Sequence, residues 1–439
     1  LIKAHLSSNS PIASVVIPTH NRSNLLEKVL TALTQQTISP DDFEVVVVAD
    51  GCTDNTADIV GSFQEKLQIC MIEQPTQGPA MARNVGAKEA SGNLLVFIDD
   101  DIETQPQFLA AHIRSHSENR RTVVIGYLPP VLETQTGYFR TELLDWWEIT
   151  FQNMRQPGYR FSYTDLVSGN FSLHAELFEK VGGFDPGFRC HEDYELGIRL
   201  LQAGAEFVHS VEAFGYHHER SELQRALMRK YDEGVADVQI GRSYPFLRST
   251  LLMDKLQKHS LPPSRILKII AFHWPAIGDL FTHFLRKQMG FIERIRWDKM
   301  WLRMLYGLMG YWYWRGVSTE LPNLTKVKNF FNDPAAHSES RLVVDINLAE
   351  GIAKSELILD EYRPDEVRLS LNQAELGWIP YRPGNERVRG AHLQPYLVRN
   401  LSLELVKAFA GNPSFPYPEI SAELIAKCEE SLKLKKKWS

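Results

Sequence analysis

The chain has 439 residues, 44% apolar and 23% charged, with a formal net charge of −6. The length allows two or three domains, the composition is that of a soluble globular protein, and the acidic balance excludes a general polyanion binder, so no nucleic-acid partner is expected. Cys52, Cys70, Cys190 and Cys428 lie far apart with no CxxC spacing, which excludes a disulfide framework or zinc cluster and fits a reducing, cytoplasmic compartment.

No apolar run reaches the roughly 18 residues of a spanning helix, and no signal peptide is seen. The chain starts at Leu1 rather than Met, which leaves an upstream segment open. SVVIP (14–18) reads as a buried strand. Residues 22–36 carry a helical stripe of Leu25, Leu26, Val29, Leu30 and Leu33. FEVVVVAD (43–50) is a second strand, residues 54–66 a helix, and LQICMIE (67–73) a third strand. GPAMARNVGAKEAS (78–91) is a helix ending near Gly92, and NLLVFID (93–99) a fourth strand. This alternation predicts an α/β fold with a mostly parallel sheet and helices on both faces. Ligands of such sheets bind outside the carboxyl ends of the strands, where Asp50 and Asp99 lie.

Residues 105–165 mix helix and strand. SGNFSLH (168–174) reads as a strand, followed by the helix AELFEKVG, the turn GGFDPGF and a strong helix, HEDYELGIRLLQAG (191–204). AEFVHS and EAFGYHHE are strand-like. From Ser264 to Val317 nine Lys/Arg stand against three Asp/Glu, among many aromatics. That mixture suits either peripheral membrane contact or a helical layer covering the preceding domain or forming an oligomer interface. Residues 318–340 read as a linker. RLVVDINL and EVRLSLN look like strands and SLELVKAFA a helix, and LKLKKKWS is a basic tail. The expected division is a catalytic domain over 1–255, a helical segment and linker over 256–335, and a small α+β domain over 336–439.

Chemistry concentrates in three places. VFIDDDI (96–102) ends an apolar strand in three adjacent carboxylates. Hard oxygen ligands at a strand end suit Mg²⁺ or Mn²⁺, and a divalent cation would relieve their repulsion. If the chain stays extended, Asp99 and Asp101 face one side and Asp100 the other. Asp99 and Asp101 then address one metal–diphosphate group together, or Asp99 touches the nucleotide while Asp101 binds metal. Asp100 is expected to act through a local hydrogen bond and to matter less. An isolated DDD is as readily a solvated acidic turn.

On an ideal helix over 192–203, Asp193 shares a face with Gly197, Leu200 and Leu201. Glu195 and Arg199 fall opposite, as an i,i+4 pair, and Glu192 lies near the edge. An inward Asp193 suits a general base. The competing reading is that Asp193 and Glu192 merely favour the helix N-terminus. GYHHERS (215–221) offers an imidazole that could complete a metal shell with Asp101; paired histidines are more often a surface feature.

Taken together these pieces resemble the family 2 glycosyltransferases, inverting enzymes of the GT-A fold. The resemblance runs collinearly over about residues 11–240 through SVVIPTHNR, VVVVADGCTDNT, GPAMARNVGAKEASGNLLVFIDDD, VSGNFSLHAELFEKVGGFDPGF and HEDYELGIRLLQAG. It implies that Pro18, Thr19, His20 and Arg22 line the nucleotide pocket, that Asp50 accepts from base or ribose, and that Arg83 lies near the nucleotide or its phosphates. Asp99 and Asp101 match the DXD-type motif, with Asp100 completing the donor-binding set. Asp193 matches the catalytic base and His217 a metal-binding histidine of some members. Glu192 is expected near the acceptor, and Gly169 and Asn170 at the border of the sugar site.

The second strand ends in Ala49-Asp50 where the family has two acids. No QxxRW follows residue 204, which argues against a processive synthase. The resemblance therefore implies a non-processive transferase using a nucleoside-diphosphate sugar, commonly a UDP-sugar. Its acceptor could be a glycan, a lipid-linked molecule, a protein or a small molecule; the oligomeric state is open. Alternatives are a donor-binding pseudoenzyme or assembly factor, and a sugar nucleotidyltransferase, which IPTHNR disfavours because it lacks the usual glycine-rich loop.

Overall fold

The computed structural model describes residues 10–116, 119–131, 137–218, 222–259, 262–337, 340–410 and 422–437. Glu219, Arg220 and Ser221 of GYHHERS, and Trp438 and Ser439 of the basic tail, lie outside the described residues. The chain divides into two compact units, Leu1–Phe151 with Tyr163–His337, and Gln152–Ser162 with Ser338–Ser439.

The first unit is built on a sheet whose first half is parallel: β1 (Ala13–Thr19), β2 (Phe43–Asp50), β3 (Ile69–Gln74) and β4 (Leu94–Ile98), in the order β3-β2-β1-β4. Every residue of β1 and β2 is buried, as expected for Val/Ile-rich strands covered on both faces. Helix Ser23–Leu33 packs Leu26, Val29, Leu30 and Leu33 into the core on one face, with Val15, Ile17, Val45 and Val47. Helix Pro79–Glu89 covers the other face through Ala82 and Val85 against Val46 and Val48. It comes so close that a Cβ on Gly86 would lie 2.5 Å from Val16 Cγ1.

The sheet continues with β5 (Ile102–Thr104), β6 (Thr122–Tyr127), β7 (Asn170–His174) and β8 (Glu206–His217), in the full order β3-β2-β1-β4-β7-β6-β8-β5. Here it turns mixed: β7 is antiparallel to both β4 and β6, β8 is parallel to β6, and β5 is antiparallel to β8. The two strand-like stretches after Gly204 are one strand with a register shift opposite Gly126 and Tyr127. The architecture is the α/β, GT-A-type arrangement that the sequence predicts. The helix expected over 54–66 shrinks to Thr56–Gly61.

The basic aromatic segment forms three helices, Pro262–His273, Pro275–Arg294 and Asp298–Glu320. The last buries Tyr311, Tyr313, Trp314 and Val317 with Val238 and Ile240 of helix Leu223–Ser243. The stretch read as a linker is not open chain. Leu324–Asn332 is a helix capped by the Asn323 side chain, and Val327 and Phe330 join the same core. Their i,i+3 spacing is the helical signal that the surrounding polar residues hid. Among the described residues no helix is long and apolar enough to cross a membrane.

The second unit is α+β. Strands β9 (Val343–Asn347), β10 (Glu366–Leu371) and β11 (Ala374–Ile379) run in the order β11-β10-β9, and helices including Ile352–Tyr362 and Gly390–Asn400 share its core. It also takes a piece from the middle of the chain. Buried Arg160 donates to the carbonyls of Glu386 and Pro380, and Asn385 Nδ2 donates to the Arg160 carbonyl at 2.7 Å.

Candidate active site

The parallel strands β2, β1 and β4 deliver Asp50, Thr19 and Asp99 to one edge of the sheet. Beyond Thr19 the chain turns through Asn21, at φ 52°, into helix Ser23–Leu33. The loop after β2 pins this turn: Ser23 N–H donates to Asp54 Oδ2 at 3.0 Å and Ser23 Oγ donates to Asn55 Oδ1 at 2.6 Å. The result aims Arg22 back across the strand ends. His20 sits beside Asp50, its Nδ1 2.5 Å from the Asp50 carbonyl.

β4 ends at Ile98, and the Ile102 N–H bonds to the Asp99 carbonyl at 3.2 Å. The three aspartates therefore occupy a tight turn, not an extended strand, and the alternation expected of them fails there. Arg22 Nη1 reaches both Asp100 Oδ1, at 2.9 Å, and Asp101 Oδ2, at 3.1 Å. Asp100 also accepts from Thr19 Oγ1 at 2.8 Å and is buried. Asp99 departs the other way and accepts from Arg83 Nη2 at 2.6 Å. Two guanidiniums thus offset part of the repulsion among the three carboxylates. Burial pushes the Asp100 carboxyl above its ordinary range despite Arg22 and Thr19. Burial also acts on Asp99, but Arg83, His217 and Arg22 together outweigh it and hold that carboxyl low.

Asp101 has a second neighbour. β5 pairs Ile102 with His217, and the His218 N–H donates to the Asp101 carbonyl at 2.9 Å. These contacts bring His217 Nε2 to 3.6 Å from Asp101 Oδ1. Trp147, of helix Tyr138–Met154, packs edge-on against the imidazole at 5.7 Å. Among the described residues no three His, Cys, Asp or Glu side chains converge on one metal position.

The helix carrying the second acidic pair starts after His191, which is left-handed at φ 60° and leans on Asp237 at 3.4 Å. Burial alone would lower the His191 pKa; the Asp237 contact raises it. Helix Glu192–Gln202 seats tightly because Gly197 faces the Tyr163 carbonyl, 2.7 Å from where a Cβ would sit. Both carboxylates lie in the first turn. Arg83 Nη1 donates to Glu192 Oε1 at 3.1 Å, so one buried guanidinium spans Asp99 and Glu192. Burial and the adjacent Asp193 raise the Glu192 pKa against the pull of Arg83. Asp193 Oδ2 accepts the Ser168 N–H at 3.3 Å. The next residue, Gly169, accepts the Asp99 N–H through its carbonyl at 3.3 Å, and a Cβ on it would lie 3.0 Å from Asp99 Oδ2. The Ser168-Gly169 loop thus links the strand-end acids to Asp193, and Arg83 links them to the neighbouring Glu192.

The structure therefore brings together Thr19, Arg22, Arg83, Asp99, Asp100, Asp101, Gly169, Glu192, Asp193 and His217, with Pro18 at the end of β1 and His20 on the loop that follows. The Asn170 side chain is turned away from this group. That side chain is fully buried, donating to the Ala213 carbonyl at 2.9 Å and bonded through Oδ1 to His112 Nε2 at 2.9 Å. An inward residue of β7 ties strands together instead. Asp50 is also turned inward, accepting from Gln74 Nε2 and from the N–H groups of Gln77 and Gly78, at 2.7, 2.8 and 2.8 Å. It positions the start of helix Pro79–Glu89 and hence Arg83. Glu195, placed opposite the buried face by the helical wheel, is itself buried: Arg199 pairs with it and Tyr244 donates to it at 2.7 Å. The helix is covered on both sides.

Sequence reasoning missed Asp54 and Asp237, which support Arg22 and His191. The second carries a signal, an acid within the apolar helical run VADVQI. A cavity of about 350 Å³ opens at the ends of β2 and β3, lined by Gly51, Cys52, Asp54, Thr56, Gln74 and Pro75 among others; neither the aspartate turn nor Asp193 lines it.

Residues 14–182 match the model of glycosyl transferase family 2, and residues 149–222 match a model described as the N-terminal domain of galactosyltransferase. The chain is 37% identical over 247 residues to validoxylamine A glucosyltransferase of Streptomyces hygroscopicus subsp. limoneus, covering 49% of this chain and 54% of that protein. It is 27% identical over 238 residues to glycosyltransferase AglE of Haloferax volcanii, covering 54% and 76%. The chain thus spans little more than half the length of the first of these relatives. Among solved structures, the mannosyltransferase PcManGT from Pyrobaculum calidifontis, in complex with GDP-Man and Mn²⁺, aligns at 18% identity with a TM-score of 0.48, covering 69% of this chain and 86% of that one.

Proposed function

We propose that this chain, a member of glycosyltransferase family 2, transfers a sugar from a nucleoside-diphosphate sugar to an acceptor hydroxyl with inversion at the anomeric carbon. The observation that carries the reading is the pairing of two acidic groups in one site: the aspartate turn with His217, and Asp193 held beside it through Ser168-Gly169 and Arg83.

Asp193 serves as general base. It takes the proton of the acceptor hydroxyl as that oxygen bonds to the anomeric carbon, while the bond from that carbon to the diphosphate oxygen breaks on the opposite face. The Ser168 N–H orients the carboxylate. Arg83 keeps Asp99 and Glu192 in fixed positions, so both substrates meet a preorganised set of charges. Arg22, half-exposed above the turn, is placed to meet donor phosphates.

Asp101 and His217 fit a divalent ion, Mn²⁺ or Mg²⁺. Their 3.6 Å separation is short enough for both to reach one ion at about 2.1 Å, and Asp99 lies in the same turn. With only two or three protein ligands, donor diphosphate oxygens would complete the shell. When bound, such an ion stabilises charge on the departing diphosphate. A UDP-sugar is the first donor class to test, and the name of the validoxylamine A relative puts glucose first among sugars. Free thiols at all four cysteines fit a cytoplasmic setting.

The test is release of nucleoside diphosphate from a panel of nucleotide sugars with Mn²⁺, in the wild type and in Asp193→Asn. Metal-dependent release that Asp193→Asn abolishes while still binding donor supports the reading. Donor binding without turnover over any acceptor panel would make the chain a donor-binding pseudoenzyme.

A further inference from the structure

Helix Pro275–Arg294 is covered on one face only. Gly278, Thr282 and Met289 are buried, and Gly278 lies so close under Tyr311 that a Cβ would fall 2.3 Å from its hydroxyl. At about 100° per residue, Ile277, Leu280, Phe281, Phe284, Phe291 and Ile295 share an arc of about 100° pointing away from that face. All six are exposed, Leu280 at 73% and Ile277 at 66%. Trp274 and Trp297, just beyond the two ends of the helix, are exposed as well. An apolar stripe of this extent, interrupted only by the half-buried Gln288, marks an interaction surface.

The charges around it identify the partner. Of the three acids between Ser264 and Val317, two are held by partners within the protein. Asp279 accepts from the Tyr311 hydroxyl at 2.6 Å, and Glu293 accepts the Tyr138 N–H at 2.8 Å. Four cations stay outside: Lys287 and Arg294 border the stripe, and Arg296 and Lys299 follow it, all exposed. Only Asp298 remains as an exposed acid there.

We propose that this face docks on the surface of an anionic lipid bilayer. The apolar stripe enters the boundary between headgroups and acyl chains, and the flanking cations lie among lipid phosphates. The helix rests on the membrane and does not span it. A second copy of the chain is a poorer occupant. A two-fold interface sets the patch against itself, bringing cation against cation with almost no acid to pair them. The same layer holds helix Tyr138–Met154: Tyr138 packs edge-on to Trp301 at 5.5 Å, and Trp147 reaches His217. Docking rests on the surface alone, not on the transferase reading, so lipid binding and donor turnover can fail separately.

Flotation of the full chain with phosphatidylglycerol-rich and pure phosphatidylcholine vesicles tests the proposal. The chain should float with the anionic vesicles at low salt, less so at high salt, and weakly with the neutral ones. Leu280→Glu with Phe284→Glu should weaken that binding by about tenfold or more, with an unchanged melting temperature because both side chains are exposed. Lys287→Glu with Arg294→Glu should remove the preference for anionic lipid. Failure to float with anionic vesicles at low salt overturns the proposal, as does flotation indifferent to the Leu280/Phe284 pair. A dimer in sedimentation that the same pair dissociates, without vesicle binding, assigns the face to a second copy instead.

Discussion

Arg83 Nη2 donates to Asp99 Oδ1 at 2.6 Å, and the same guanidinium holds Glu192 at 3.1 Å. It is the ion pair that joins the carboxyl edge of the sheet to the helix bearing Asp193. Arg83 is buried and also lies over the Phe184 ring at 5.4 Å. Arg83→Ala should leave two carboxylates with no guanidinium between them and destabilise the protein by about 3 kcal/mol, the usual cost of breaking a buried pair from one side. Arg83→Lys should recover only part of this, because an ammonium cannot span both carboxylates as a fork does. Urea denaturation measures both. An Arg83→Ala variant as stable as the wild type would remove the bridge from the account.

The aspartate turn separates the buried Asp100 from the proposed metal ligand Asp101. Asp100→Ala removes the buried acceptor of Thr19 and Arg22 and should perturb folding, seen in denaturation. Asp101→Ala and His217→Ala should instead weaken Mn²⁺ binding in the presence of donor by about tenfold or more, the range for losing a ligand or its support. Titration of Mn²⁺ by its paramagnetic signal distinguishes them. Equal metal affinity in wild type and Asp101→Ala would rule out Asp101 as a ligand.

For Asp193→Asn the expected loss is in turnover, about 10²- to 10⁴-fold, the range for a general base. Donor affinity should stay within about twofold, since Asp193 contacts the Ser168 loop and not the aspartate turn. A parallel fall in donor affinity and turnover would indicate that Asp193 binds donor.

Acid should destabilise the protein through a buried cluster behind the sheet. His112 bonds Ser172 Oγ at 2.7 Å, and His116 bonds the same oxygen at 2.8 Å. Burial lowers His112 to about 4 and, with repulsion from His112 and His174, His116 to about 3. A depressed histidine is neutral when folded and takes up its proton on unfolding. Its contribution is therefore complete above about 6.5, the unfolded value, and is lost as pH falls toward the folded value. For His112 that amounts to an order of 3 kcal/mol between pH 6.5 and about 4. His191 runs the other way: Asp237 raises it against burial, so its contribution is full below about 6.5 and fades as pH rises through its higher folded value. Unfolding free energy should fall from pH 6.5 to 4.5, and less steeply in His112→Asn. A flat profile, or identical slopes, would contradict the burial argument.

Part of the fold and of the site is legible in the order of residues. β1, β2 and the helix ending near Gly204 follow from apolar periodicity and glycine placement, because local patterns fix local elements. The type of residue at two strand ends and one helix start is legible too: Asp50, Asp99 and Asp193 each stand where chemistry or an internal partner is needed. The helix Leu324–Asn332 is obscured by its polar composition, and the inclusion of Gln152–Ser162 in the second unit has no local signature.

The sequence by itself determined the parallel half of the sheet and its carboxyl edge. Only the tertiary structure decided which partner each carboxylate takes. Alternation assigns faces only while the backbone stays extended, and at Asp99 the chain turns, so Asp100 and Asp101 share Arg22 while Asp99 takes Arg83. Partners distant in sequence, His217 for Asp101 and Asp237 for His191, arrive through the pairing of β5 with β8 and the packing of helices. Such contacts are set by which surfaces bury each other, which no short stretch of sequence encodes.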